Sequence, residues 1–214
     1  MKEIEVLQEQ LLKLSPKKRK LVLSALPRHQ LEVEFDINAE IILDAISRSS
    51  DLTKRGVRGI IAESVFIKEV LPEQLENTDW RLSDVSATDL PYDALIENSL
   101  GMKVSIQVKN QRVEKGSVKI KNGNWIVEVQ KTRSGKGADG QSTRPYKFTD
   151  FHLIAVCLWP GTRDWRKFAY CLTQNLVPRR GSKELIEIMQ PIPTAINEGH
   201  WNSSLTGLLR SFEI

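Results

Sequence analysis

The chain has 214 residues, 40% of them hydrophobic, which suffices for one packed domain or one domain with an appendage. It opens MKEIEVLQEQ and holds no apolar run approaching roughly 18 residues, so neither an export signal nor a membrane span is expected, and the protein is expected in the cytoplasm. The net charge of +4 conceals an uneven distribution: residues 101–183 hold 17 Lys/Arg and 5 Asp/Glu, while the stretches on either side are net acidic. A block so basic is costly to keep compact without a polyanion, and nucleic acid is the natural one. A solvated cationic face is the plainer alternative.

Residues 3–26 read as two short amphipathic helices, with Leu7, Leu11, Leu12 and Leu14 on one stripe and Ser15-Pro16 opening the second. Pro27 stops this unit. The cluster Lys17-Lys18-Arg19-Lys20 could meet phosphate or simply form a wet face. Two more helices are expected over 37–48 and 53–71. In the second, Gly56, Ile60, Glu63, Ile67 and Val70 fall on one stripe, which sets Glu63 in an apolar face where an ionised carboxylate needs a partner, a metal or water.

From Trp80 the period turns to alternation, predicting strands at WRLSDV, YDALIE, KVSIQVK, WIVEVQK and FHLIAVCLW. Gly101 in NSLG suits a tight turn, and Asn122-Gly123 a second hairpin turn. Residues 131–147 are rich in Gly, Ser and cations and read as an exposed loop. Helices are expected over 164–177 and 182–190. Cys157 and Cys171 stand apart in apolar contexts and read as buried thiols rather than a disulfide or zinc site. His29, His152 and His200 are scattered and read as structural.

The hairpin from Leu90 to Arg112 carries the chemistry. Folding YDALIE back on KVSIQVK through a turn near Ser99-Leu100 places Asp93 opposite Ile106 or Gln107. Gln107 and Lys109, two residues apart, then project from one face, while Val108 points the other way as an anchor. A carboxylate and an amide oxygen are hard ligands of the kind Mg²⁺ accepts. An ammonium beside them can position or deprotonate a water, or balance charge on a phosphate.

Glu63 on a helix, Pro91-Tyr92-Asp93, and Gln107-Val108-Lys109 at the end of a hairpin together resemble the PD-(D/E)XK nuclease superfamily. That superfamily includes type II restriction endonucleases, homing endonucleases and Holliday-junction resolvases. The resemblance spans roughly residues 55–180. It implies a mixed central β-sheet flanked by helices, of the restriction-endonuclease kind, and Mg²⁺-dependent phosphodiester hydrolysis. It implies catalytic roles for Asp93, Gln107, Lys109 and Glu63, with Asp93, Gln107 and Glu63 on the metal and Lys109 as the catalytic lysine. Tyr92 intervenes between Pro and Asp, and Gln107 stands where Asp or Glu is usual. Either Glu63 makes up the missing charge, or the cation is bound weakly.

On this reading residues 1–50 form a helical segment for dimerisation or accessory DNA contacts, and residues 51–214 the nuclease-like domain. Double-stranded DNA would meet Lys115, Lys131, Arg133, Lys136, Gln141, Arg144 and Arg163, with Arg133, Gln141 and Arg144 as candidate base readers. A homodimer is expected if both strands of a palindrome are cut. A structure-specific or homing nuclease, and a non-catalytic DNA-binding protein on the same fold, are the alternatives.

Overall fold

A computed structural model describes residues 2–24, 29–83, 90–114, 116–131, 144–196 and 199–212. The chain forms two compact units, Met1–Lys54 and Arg55–Ile214. The first holds α1 (Lys2–Lys13), α2 (Pro16–Ser24), α3 (Gln30–Glu34) and α4 (Ala39–Arg48). Pro16 opens α2, where its missing N–H costs nothing. The Arg19 guanidinium donates to the carbonyls of Leu11 (3.1 Å), Leu12 (2.8 Å) and Leu14 (3.4 Å), so it caps the end of α1. His29 opens α3 by accepting from Leu31 N (3.2 Å), while Glu32 accepts from His29 N (2.8 Å). Asn38 does the same for α4, accepting from Ile41 N at 3.1 Å. Among residues 6–7, 9–22 and 29–54 none is buried.

α5 (Asp51–Val65) runs into a π-helical turn, Phe66–Val70, and then α6 (Leu71–Leu75). Leu71 N reaches back to Phe66 O in the wide bond of that turn. Pro72 follows with no N–H to give, so the position after the widened turn needs no ladder partner. The buried stripe differs from the expected one already before this turn, and the turn then brings Val70 and Leu71 into the core together. Ala62, Phe66, Val70, Leu71 and Leu75 are buried, Ile60 is 65% exposed, and Glu63 stands half-buried at the edge.

The central sheet has five strands in the order β1-β2-β3-β8-β9, namely β1 (Arg81–Leu82), β2 (Ala94–Glu97), β3 (Lys103–Asn110), β8 (Leu153–Cys157) and β9 (Phe168–Leu172). All its pairings are antiparallel except β3 with β8, so the sheet is mixed. Between β3 and β8 lie β4 (Val113–Glu114), β5 (Ser117–Val118), β6 (Ile120–Lys121) and β7 (Asn124–Glu128). β6 and β7 join β10 (Met189–Ile192) in a second sheet, order β10-β7-β6. One face of the central sheet packs on Phe66, Leu71 and Leu75, and on Leu205 and Leu209 of α8 (Leu205–Leu209). The other face packs on Val127, Ile192, Tyr146 and Ile186, so the second sheet and loops cover it instead of further helices.

Residues 164–177 and 182–190 are not the expected helices. The run FAYCL forms β9, buried along nearly its whole length, and a continuous apolar run has no alternation to distinguish strand from helix. In the second stretch Ile186 N donates to Tyr146 O at 2.9 Å, and that tertiary bond overrides the helix propensity of Lys183, Glu184 and Leu185.

The short α7 (Trp159–Thr162) sits hard against the neck of the second sheet. Gly161 N donates to Gln111 Oε1 at 2.9 Å. A Cβ at this position would lie 3.0 Å from that oxygen and 3.1 Å from two Trp125 ring carbons. Gly161→Ala is expected to destabilise the protein by about 1–3 kcal/mol; a denaturant midpoint equal to wild type would contradict this contact. Both cysteines are buried free thiols, and burial pushes Cys157 up to about 11 and Cys171 up to about 12. Among the described residues no helix is long and apolar enough to cross a membrane.

Candidate active site

β2 and β3 form the hairpin expected from alternation. Its turn is set by Asn98, whose Oδ1 accepts from Leu100 N (3.1 Å) and Met102 N (2.9 Å), and by Gly101 at φ 77°. Only glycine adopts such a φ without strain. Ala94 pairs with Ile106, which sets Asp93 opposite Gln107, and Asp93 N donates to Ile106 O at 2.9 Å. Val104, Ile106 and Val108 enter the helix-covered core. Ser105 and Gln107, on the opposite face, are buried as well, and Lys109 is half-buried at the strand's end.

Three of the four expected site residues meet through a chain of bonds. Val108 N donates to Asp93 Oδ2 at 2.7 Å, and Gln107 Nε2 donates to the same oxygen. The Tyr146 hydroxyl donates to Gln107 Oε1 at 3.0 Å, and Lys109 Nζ donates to the Tyr146 hydroxyl at 3.4 Å. Glu63 reaches this group from α5, close enough that its charge acts on Lys109 and that of Asp93 acts on it. Burial raises the Glu63 pKa, Asp93 raises it further, and Lys109 lowers it in part. Burial likewise raises Asp93 against the opposing pull of Lys109 and the bonds from Val108 and Gln107. Burial lowers Lys109, opposed by Asp93, Glu63 and Glu128.

These shifts have a consequence for stability. Each raised carboxyl holds its proton more tightly folded than unfolded, so the fold is favoured at acid pH and loses stability as pH rises from the ordinary carboxylate range through the raised values. Asp93→Asn removes one such group while keeping an acceptor for Val108 N–H. With a chelator present, the melting temperature of the variant minus that of wild type should be larger at pH 7 than at pH 4. A difference independent of pH would show that Asp93 is not strained by burial.

The donor set suits Mg²⁺. The Asp93 and Glu63 carboxylates, whose charges oppose each other, are hard oxygen donors, and Mg²⁺ commonly takes one or two carboxylates plus water and phosphate, whereas the Gln107 oxygen is bonded to Tyr146. Among the described residues no group of three or more His, Cys, Asp and Glu side chains is gathered to hold a metal. His152 is committed elsewhere, its Nδ1 accepting from Ser105 N at 3.1 Å.

Tyr146 completes this group. It is 5% exposed, edge-on to Phe151, and flanked by Lys109 and Lys131 at 5.3 and 5.5 Å from its ring centre. Burial, with the Asp93 and Asp150 charges, pushes its pKa far above the usual phenol value, so its proton stays in place as a donor. No local motif announces it, because it reaches Gln107 from 39 residues away.

Of the expected DNA-contacting residues, Lys115, Arg133, Lys136 and Gln141 lie outside the described residues. Lys131 pairs with Asp150 at 3.2 Å as well as lying over Tyr146. Arg144 Nε donates to Lys131 O at 3.3 Å. Arg163 is exposed, lies 5.3 Å from the Trp159 ring centre, and closes α7 in the left-handed region at φ 60°. Lys119 and Arg112 are paired with Glu114, and Arg166 with Glu69 and Glu73.

No protein-family model and no curated protein matches the chain. Among solved structures it is similar to a bacterial homing endonuclease, I-Ssp6803I, at 20% identity and a TM-score of 0.37, over 56% of this chain and 69% of that one.

Proposed function

We propose that the chain is a Mg²⁺-dependent DNA endonuclease of the PD-(D/E)XK type, with Gln107 in place of the usual second acid, acting in restriction. The observation that carries this reading is the convergence of Asp93, Gln107 and Lys109 at the end of one hairpin, with Glu63 beside them. Asp93 and Glu63 would hold the cation with Gln107 adjoining, and the bound ion would supply charge stabilisation at the scissile phosphate and a more acidic water. Asp93 is oriented for that task by the Val108 N–H and the Gln107 amide. Lys109, whose pKa burial lowers, positions the attacking water or balances charge on the phosphate as an ammonium, or takes the water's proton as the neutral amine. Double-stranded DNA is the substrate that the basic stretch 101–183 fits best. A homodimer, assembled through the N-terminal helices, would present two such sites to the two strands.

The test is a panel of supercoiled plasmid, linear duplex and synthetic four-way junctions incubated with Mg²⁺. Discrete plasmid fragments are expected. Cutting confined to branched DNA would replace restriction by junction resolution, and tight binding without cleavage would make the chain a DNA-binding protein on this fold.

A further inference from the structure

The bonds around Gln107 have a direction. An ammonium can only donate, so the Tyr146 hydroxyl accepts from Lys109 Nζ and is left with one proton to give. That proton goes to Gln107 Oε1 at 3.0 Å. The amide oxygen is thereby held at Tyr146, and the amide NH₂ is turned onto Asp93 Oδ2, the oxygen that already accepts from Val108 N at 2.7 Å. Turning the amide through half a rotation would set its oxygen against the Asp93 oxygen and its NH₂ against the Tyr146 hydroxyl. Two acceptors in contact repel, and the Tyr146 proton would lose its partner inside a buried site.

We propose that Tyr146 is a positioning residue: its hydroxyl fixes the Gln107 amide with NH₂ on Asp93, so that Gln107 orients the cation-binding aspartate instead of ligating the cation. This rests on the nuclease reading for the identity of the cation site. It accounts for a glutamine where an acid is usual. A neutral amide is a poor cation ligand but a good donor to a carboxylate, and the donor role needs its far end tied down. Tyr146 supplies that tie, and Lys109 and Lys131 Nζ lie 5.3 and 5.5 Å from its ring centre. The arrangement is an outer support for a cation ligand, of the kind whose loss weakens metal affinity by about 10–100-fold.

The two roles for Gln107 predict opposite signs. If Gln107 orients Asp93, Tyr146→Phe releases the amide and weakens cation binding. If Gln107 ligates through its oxygen, the same change frees that oxygen to turn toward the ion, and binding tightens. The measurement is calorimetric titration of the intact protein with Ca²⁺, together with Gln107→Met and the double variant, each first checked for a cooperative thermal transition. The expected result is a loss of about 10-fold in affinity for Tyr146→Phe, a comparable loss for Gln107→Met, and no further loss in the double variant. Tighter binding, unchanged binding, or losses that multiply in the double variant would overturn the assignment. Cleavage by the wild-type protein, measured separately, decides the parent reading. A wild type that binds Ca²⁺ with these couplings yet cuts no DNA would sink the nuclease and leave the Tyr146 assignment standing. A wild type that takes up no Ca²⁺ would remove both.

Discussion

Asp93→Ala is expected to lower Mg²⁺-dependent cleavage by about 10³-fold or more, beyond the loss from removing a single charge-stabilising donor, while binding of uncleaved DNA in Ca²⁺ stays within a few-fold of wild type. Asp93 is the only one of the four site residues whose carboxylate accepts both the Gln107 amide and the Val108 N–H. Removing it takes away the charge that would hold the cation and also strands two donors inside the site, each at about 1–3 kcal/mol. Alanine is therefore the harsher variant, and lower stability should accompany its lost activity. Asp93→Asn separates the two effects, since the amide oxygen keeps the Val108 bond but not the charge. The asparagine variant should be as inactive as alanine and at least as stable as wild type near neutral pH. Single-turnover cleavage and thermal melts on both variants decide this, and substantial cleavage by either would end the role given to Asp93.

Lys109→Ala is expected to cost about 10²–10⁴-fold in single-turnover rate, the range for a positioned acid–base group. Burial makes this ammonium unusually ready to lose its proton, and Asp93, Glu63 and Glu128 restrain that tendency. Lys109→Arg should not restore activity. A guanidinium stays charged at every working pH, and its planar fork presents its donors differently from the single Nζ that reaches the Tyr146 hydroxyl. DNA affinity in Ca²⁺ should change little, because the basic stretch 101–183 holds many other cations. Recovery of most of the rate by arginine would show that Lys109 contributes charge alone.

The hairpin was legible because every constraint on it is local. Alternation sets which residues share a face, and Gly101 sits where the turn requires a positive φ. The same alternation gave the burial of Val108 on one side and the pairing of Gln107 with Lys109 on the other. Glu63 was legible only as an anomaly on its helix. Its neighbours were mis-phased because the core-facing residue of that helical turn is the small Ala62, while the larger Ile60 faces solvent. β9 was hidden by being apolar on both faces, and the parallel pairing of β3 with β8 by the 47 residues that separate Ser105 from its partner His152. Tyr146 was hidden for the same reason: the bridge from Gln130 to Pro145 delivers it to the site, and that contact is tertiary.

The central claim is that the Asp93 carboxylate, oriented by the Gln107 amide and joined by Glu63, holds a cation beside Lys109, and that this site breaks a DNA backbone. Supercoiled plasmid incubated with Mg²⁺, with the resulting ends mapped, tests this most directly when wild type, Asp93→Asn and Lys109→Ala are run side by side. The account predicts discrete ends from the wild type, none without Mg²⁺, and intact plasmid from both variants. Equal cutting by all three proteins, or intact plasmid and unbroken junctions from the wild type in Mg²⁺, would contradict it.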